Sequence, residues 1–241
     1  MYNSQNIYNQ EDSRYKLFNP SWHEEESPYK AEQIMRLIRK IPLYQNFQLT
    51  KIAEVGCGAG EILNQLHIKL SGVFFDGFDI APDAIEMCCN KKTDRLSFYC
   101  TDFLETTDYY EIILLIDVFE HIDNCFDFLR CIRNRGQYFI FNIPLVINVF
   151  DILRNFPSLN YKRLGHKHFF QKETALYTLK DCGYNILTWH YGLAFGLPAK
   201  RFYNRLTTLP KSLLYLILNT DFYVRLFGGS LFVLATPSAA E

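Results

Sequence analysis

The chain has 241 residues, a formal net charge of -1, 49% apolar and 21% charged side chains. That length allows one domain with a full hydrophobic core, and a charge so near zero gives no general field for gripping nucleic acid. Seven cysteines, an odd number with no C-x-x-C spacing, argue against a disulfide framework or a zinc knuckle and point to reduced thiols in a cytoplasmic protein.

Residues 1–28 open with Asn, Gln, Tyr and Ser and show no period; they read as an N-terminal arm or cap, with no apolar leader core. In "YKAEQIMRLIRK", Ile34, Leu37 and Ile38 recur at helical spacing behind a Ser-Pro start signal. Short apolar runs then alternate with helical patterns. "KIAEV" leads to "GEILNQLHIKL", "GVFFDGFDI" to "PDAIEMCCNKK", and "RLSFYCTDF" to a turn. "EIILLIDV" leads to "CFDFLRCIRNR", "QYFIFNIPL" stops at Pro144, and "KETALYTLKDCG" precedes "YNILTWHYG". Runs of this kind suit parallel strands covered on both faces, and the alternation predicts an open α/β sheet. The aromatic share of 16% fits a bulky core. Residues 192–227 interrupt the pattern as a lid-like insertion before a last strand, "SLFVLAT". Its apolar run "LLYLIL" is far shorter than the roughly 20 residues that span a bilayer. No repeat or linker divides residues 1–241, so one domain is expected.

"AEVGCGAGEIL" places Gly56, Gly58 and Gly60 between a strand and a helix. Bare backbone there lets a ligand approach a helix N-terminus. The dinucleotide fingerprint G-x-G-x-x-G fails at its third place, where Glu61 stands, and no Walker Lys-Ser/Thr follows. Glu54, two residues before the first glycine, would repel a pyrophosphate and suits a ligand bearing an ammonium group. Asp79 ends the second strand, 23 positions after Gly56, where a ribose-binding acid belongs. Asp102 and Asp117 end the third and fourth strands. Four successive strands thus deliver an acid to the rim where open α/β sheets bind ligands.

These segments resemble the class I S-adenosylmethionine-dependent methyltransferases from about Trp22 onward. "AEVGCGAGEIL", "FDIAPDAIEMC", "CTDFLE" and "LIDVFEHI" are similar to that family's successive motifs, and "GHKHFFQKETALYTLKDCGYNIL" resembles the ubiquinone-type branch. The resemblance implies a Rossmann-like, seven-stranded, mostly parallel sheet with an antiparallel last strand. It implies S-adenosyl-L-methionine as cofactor, with Gly56, Gly58 and Gly60 under its methionine part. Asp79 and Ile80 would lie at the ribose, Asp102 and Phe103 beside the adenine, and Glu54 and Asp117 on the same rim.

Methyl transfer needs an aligned nucleophile, a dry site and, for an oxygen acceptor, a base. His121 and His166 are the candidates, with a structural role for His121 the competing reading. In an extended "GHKHFF", His166 and His168 point to opposite sides, so one enters the site. On a helical turn Asp117, Glu120 and His121 would share a face. With His166 they resemble the metal set of ubiquinone-biosynthesis O-methyltransferases and small-RNA 2′-O-methyltransferases, which would place a divalent metal on the acceptor hydroxyl. In similar methyltransferases the segment carrying Trp22, Tyr29 and Lys30 closes over the cofactor, where Lys30 would meet its carboxylate; the competing reading is a surface arm with Trp22 packed on the sheet. The 192–227 insertion reads as a lid, a peripheral membrane contact or a dimer surface.

The expected function is O-methylation of a small-molecule, glycan or lipid-linked acceptor in a biosynthetic pathway, with nucleic acid disfavoured by charge. The family context behind that acceptor is weakened at Asn142, where related chains often carry His. The alternatives are an N-methyltransferase, a metal-assisted RNA ribose methyltransferase, a non-catalytic cofactor-binding protein, or an NAD-binding oxidoreductase, against which Glu61 counts.

Overall fold

The computed structural model describes residues 18–46, 48–193 and 217–238. Most of the 192–227 insertion and much of the N-terminal arm lie outside these residues.

Seven strands form one sheet in the order β3-β2-β1-β4-β5-β7-β6. They are β1 Lys51–Val55, β2 Phe74–Asp79, β3 Leu96–Cys100, β4 Tyr110–Ile116, β5 Gly136–Leu145, β6 Tyr184–Gly192 and β7 Gly229–Pro237. β1 pairs parallel with β2 and β4, β2 with β3, and β4 with β5. Only β7 runs antiparallel, between β5 and β6. This is the α/β sheet expected from the sequence. Because the chain winds outward from β1 through β2 and β3, then crosses to β4, the strand order reverses beside β1. A crevice opens there at the carboxyl ends.

The helices, in chain order, are α1 Ser27–Ile38, α2 Pro42–Gln45, α3 Glu61–Lys69, α4 Pro82–Cys88, α5 Cys125–Ile132, α6 Val149–Leu153, α7 Phe156–Leu164, α8 Lys172–Asp181 and α9 Thr220–Phe227. The apolar strands supply both faces. Ile112, Leu114 and Ile116 of β4 pack with Ile34, Leu37 and Ile38 of α1 and Leu63 and Leu66 of α3. The alternate residues Ile113 and Leu115 pack with Leu129 and Ile132 of α5 and Leu179 of α8. Each of these fully buried aliphatic side chains contributes about 1.5–3 kcal/mol relative to exposure.

α2, α6 and α7 have no counterpart in the sequence reading. None of the three buries a residue, so none writes an apolar stripe of helical period. β5 also continues one residue past Pro144, which pairs with Ser230 beside the antiparallel β7.

The β1–α3 turn depends on glycine. Gly56, Gly58 and Gly60 have φ of 70°, 53° and 74°, a region that L side chains enter at a cost. A Cβ on Gly60 would lie 2.4 Å from Phe98 Cε1 and 2.9 Å from Cys88 Sγ, whereas one on Gly72, also at positive φ, would meet nothing within 4 Å. Gly60→Ala is therefore expected to lose at least about 2 kcal/mol in urea unfolding, and Gly72→Ala about 1 kcal/mol. Equal losses would show that packing against Phe98 does not constrain the turn.

Candidate functional site

At the crevice beside β1 lies a cavity of about 400 Å³ lined from β1, β2, β4 and the segment preceding α1, a size suited to a small ligand. Its floor is the glycine turn. The N–H groups of Gly56 and Cys57 donate to Phe78 O at 2.7 and 3.0 Å, tying the turn to β2.

Asp79, at the end of β2, accepts from Gly58 N and Ala81 N, each at 2.9 Å. Burial pushes its carboxyl upward, and these N–H bonds work against that shift. Ile80, Asp102 and Phe103 line the same end. Asp102 uses one oxygen to cap Leu104 N at 2.9 Å. Phe103 is 1% exposed, and its ring packs edge-on to Phe78 at 5.1 Å.

Glu54 lines the opposite side. It is 1% exposed and its Oε2 has no hydrogen-bond partner. Burial pushes its carboxyl well above the usual range. A buried acid with an unmet oxygen, on a residue that lines a cavity, fits a ligand that brings a donor or a cation.

Asp117 follows β4 in left-handed backbone, φ 56°. Its Oδ1 accepts from Asn142 Nδ2 at 2.7 Å, and its Oδ2 meets Lys30 Nζ at 2.8 Å. Burial opposes the Lys30 charge, but Asp117 and Glu26 outweigh it and hold the ammonium above its usual value. Lys30 therefore faces the cavity from α1 rather than lying on a surface arm.

The sequence reading named Trp22 in a covering segment, and missed His23, Glu24 and Lys91. Trp22 and His23, at φ 47° and 60°, hold a conformation that persists only when packing imposes it. A Cβ on Gly58 would lie 3.7 Å from the Trp22 ring, so the indole covers the turn. His23 lines the cavity, with Nδ1 3.5 Å from Glu26. Lys91 binds Ala59 O at 2.8 Å and Glu24 at 2.5 Å, fastening this cap to the turn. A run of acids after "WH" was the only available signal.

The expected shared face of Asp117, Glu120 and His121 does not form. A 3-10 turn spans Phe119–His121, and the left-handed Asp117 before it aims its carboxylate at Lys30. Glu120, His121 and His166 do converge, with one ligand-type atom from each within 4.8 Å of the others. Both Glu120 oxygens and His166 Nδ1 are buried without hydrogen-bond partners. Glu120 O accepts from Lys167 N at 2.7 Å and His168 N at 3.0 Å, which brings "GHKHFF" to this turn. His121 lines the cavity, and His166 packs edge-on against it at 4.7 Å. Burial, then His166, lowers His121 to about 3; burial lowers His166 to about 4. His168 turns away, its Nε2 2.8 Å from Ile122 O. Gly60 lies against Phe98 and Cys88 and shapes the turn rather than the cavity wall.

The profile of a family described as a methyltransferase domain matches residues 22–188. No curated protein matches. Solved structures share the fold at low identity. Magnesium protoporphyrin IX methyltransferase from Synechocystis PCC 6803, with bound SAH, has a TM-score of 0.58 at 13% identity, over 96% of each chain. The plantazolicin methyltransferase BpumL, with a desmethyl analogue and SAH, has a TM-score of 0.60 at 17% identity, over 98% of this chain and 94% of that one. A putative methyltransferase complexed with the Haloferax volcanii Trm112 activator has 0.63 at 13%, over 98% and 99%. With the profile covering more than half of its length, over the segment that builds the glycine turn, the acid rim and the histidine pair, the chain belongs to the methyltransferase-domain family.

Proposed function

We propose that the chain transfers a methyl group from S-adenosyl-L-methionine to an oxygen of a small-molecule, glycan or lipid-linked acceptor, as in the ubiquinone-type branch. The observation that carries this reading is the unmet, buried Glu54 oxygen beside a glycine turn, with Asp79 across the same cavity. Glu54 would take the ammonium, Lys30 the carboxylate, Asp79 the ribose hydroxyls and Asp102 the adenine amine. Asp117 would position Lys30. Bound there, S-adenosylmethionine supplies a methyl group already activated on a positive sulfur.

The chain's remaining work is alignment, exclusion of water and proton removal. Trp22 covers the turn. His121, held neutral by burial, would accept the hydroxyl proton as the new O–C bond forms and the S–C bond breaks, and His166 would orient it. A second reading is favoured by the two unpartnered Glu120 oxygens. There, Glu120, His121 and His166 would hold a divalent ion that binds the acceptor hydroxyl. Stoichiometric metal in the purified protein, with activity lost on chelation, would select this reading; activity that survives chelation selects the proton-accepting histidine.

Asp79→Asn should weaken binding of S-adenosylhomocysteine about 10- to 100-fold in calorimetry while leaving the thermal midpoint near that of the parent. Unchanged affinity would remove Asp79 from the donor site. His121→Gln should lower kcat about 10²- to 10⁴-fold with donor affinity preserved; full activity would exclude His121 as the base.

The histidines also set a pH response. In the metal-free protein they stay neutral at pH 5, while unfolded histidines, near pKa 6.5, are protonated. The unfolded chain then binds more protons, so stability is full above about pH 6.5 and falls toward pH 4. At pH 5 each should remove on the order of 2 kcal/mol, and His166→Gln should flatten part of that slope. A urea midpoint independent of pH between 5 and 7 would contradict their buried neutral state.

A further inference from the structure

The acceptor side of the sheet carries an apolar surface that methyl transfer does not explain. α6 exposes nearly all of its apolar residues: Val149 is 48% exposed, Phe150 43%, Ile152 54% and Leu153 80%. α9 lies beside it, with the Phe150 and Phe227 rings 5.6 Å apart. Phe222 on α9 is 52% exposed, and Ile217, three residues before α9, is 74% exposed. Exposed apolar residues are ordinary when scattered and informative when gathered on one surface.

The charges around this surface are mostly positive, although Asp151 stands on α6 itself. Arg154, Lys162 and Arg163 on and beside α7 are exposed. Arg154 lies over the Phe150 and Phe156 rings at 6.0 and 5.0 Å, and Arg163 lies over Phe18 at 5.7 Å. Of the neighbouring carboxylates, Asp221 and Glu173 are ion-paired, with Lys172 at 2.7 Å and Arg225 at 3.1 Å, while Asp151 accepts from the neutral amide of Asn148 at 2.6 Å. An apolar patch rimmed by uncommitted cations is the pattern of a segment that rests in a bilayer interface, its side chains among acyl chains and its cations at anionic headgroups. No helix among the described residues is long and apolar enough to cross a membrane, so contact would be peripheral.

We infer that α6, α7 and the start of α9 form a docking surface for an anionic lipid bilayer. α7 runs directly into Gly165 and His166, so docking sets the acceptor-side histidines against the membrane. Resting on the methyl-transfer reading, this narrows the acceptor to an amphiphile held in that membrane, with its hydroxyl at the headgroup level.

The test uses the full chain and sedimentation with phosphatidylcholine vesicles, with and without phosphatidylglycerol. Binding is expected only with the anionic lipid and should weaken with salt. Arg154→Ala/Lys162→Ala/Arg163→Ala should reduce the partition coefficient about a hundredfold, and Ile152→Asp/Leu153→Asp should abolish partition. Both variants carry changes at exposed positions, and an unchanged thermal midpoint confirms that they fold. Wild-type protein that ignores anionic vesicles, or binds them undiminished by either set of changes, overturns the proposal. So does a dimer in sedimentation velocity that Ile152→Asp/Leu153→Asp converts to monomer, since the patch then belongs to a second copy. Calorimetry with S-adenosylhomocysteine separates the two readings: donor binding without vesicle binding removes the membrane surface alone, and vesicle binding without donor binding removes the methyl-transfer reading alone.

Discussion

The whole arrangement rests on one turn that must be left-handed at three alternate positions. Gly56, Gly58 and Gly60 reverse the chain within the space between β1 and α3, and the backbone they leave bare forms the cavity floor. Asp79 reads that turn directly, through the Gly58 N–H, and the Phe78 carbonyl fixes its start. Reversal of strand order beside β1 keeps neighbouring strands from filling the crevice. The floor, the acid rim and the Trp22 cover follow from that vacancy in the packing.

Charge is distributed across the site by burial as much as by sequence. Glu54 and Glu120 are both acids with 1% or less exposure, yet they face different surroundings. Glu54 borders the cavity with Lys30 nearby; Glu120 is enclosed with two neutral imidazoles. Asp117 stands between the two groups and is fully engaged by Lys30 and Asn142. Asn142 therefore acts through Asp117, holding the carboxylate that holds Lys30. Around Lys30 the site is a network of opposite charges, and around Glu120 it holds two imidazoles that burial keeps neutral. That division suits a reaction that receives a cation on one side and loses a proton on the other.

Much of this was legible in the residues. The strands were readable because each is a short apolar run punctuated by Gly, Pro or an acid, and their alternation with helices gives an open α/β sheet, while the antiparallel last strand was implied only by the family resemblance. Three acids could be assigned to one rim because each ends a parallel strand. The parts that were not legible share a cause. α6 and α7 bury no side chain, so hydrophobic period could not announce them. His23 adopts backbone that its residue type does not favour, so local preference pointed away from its role. Asp117 left the expected helical face because a positive φ, invisible to spacing rules, turns it toward Lys30.

The central claim is that the enclosed Glu54, its carboxyl raised by burial, becomes the counter-ion of an arriving ammonium. Calorimetric titration with S-adenosylmethionine in buffers of different ionisation enthalpy tests it most directly. Because burial raises the Glu54 carboxyl, its ionisation on binding predicts proton release and a heat that varies with buffer, and loss of that variation in Glu54→Gln. Absence of binding, or binding whose heat is the same in every buffer, would contradict the account.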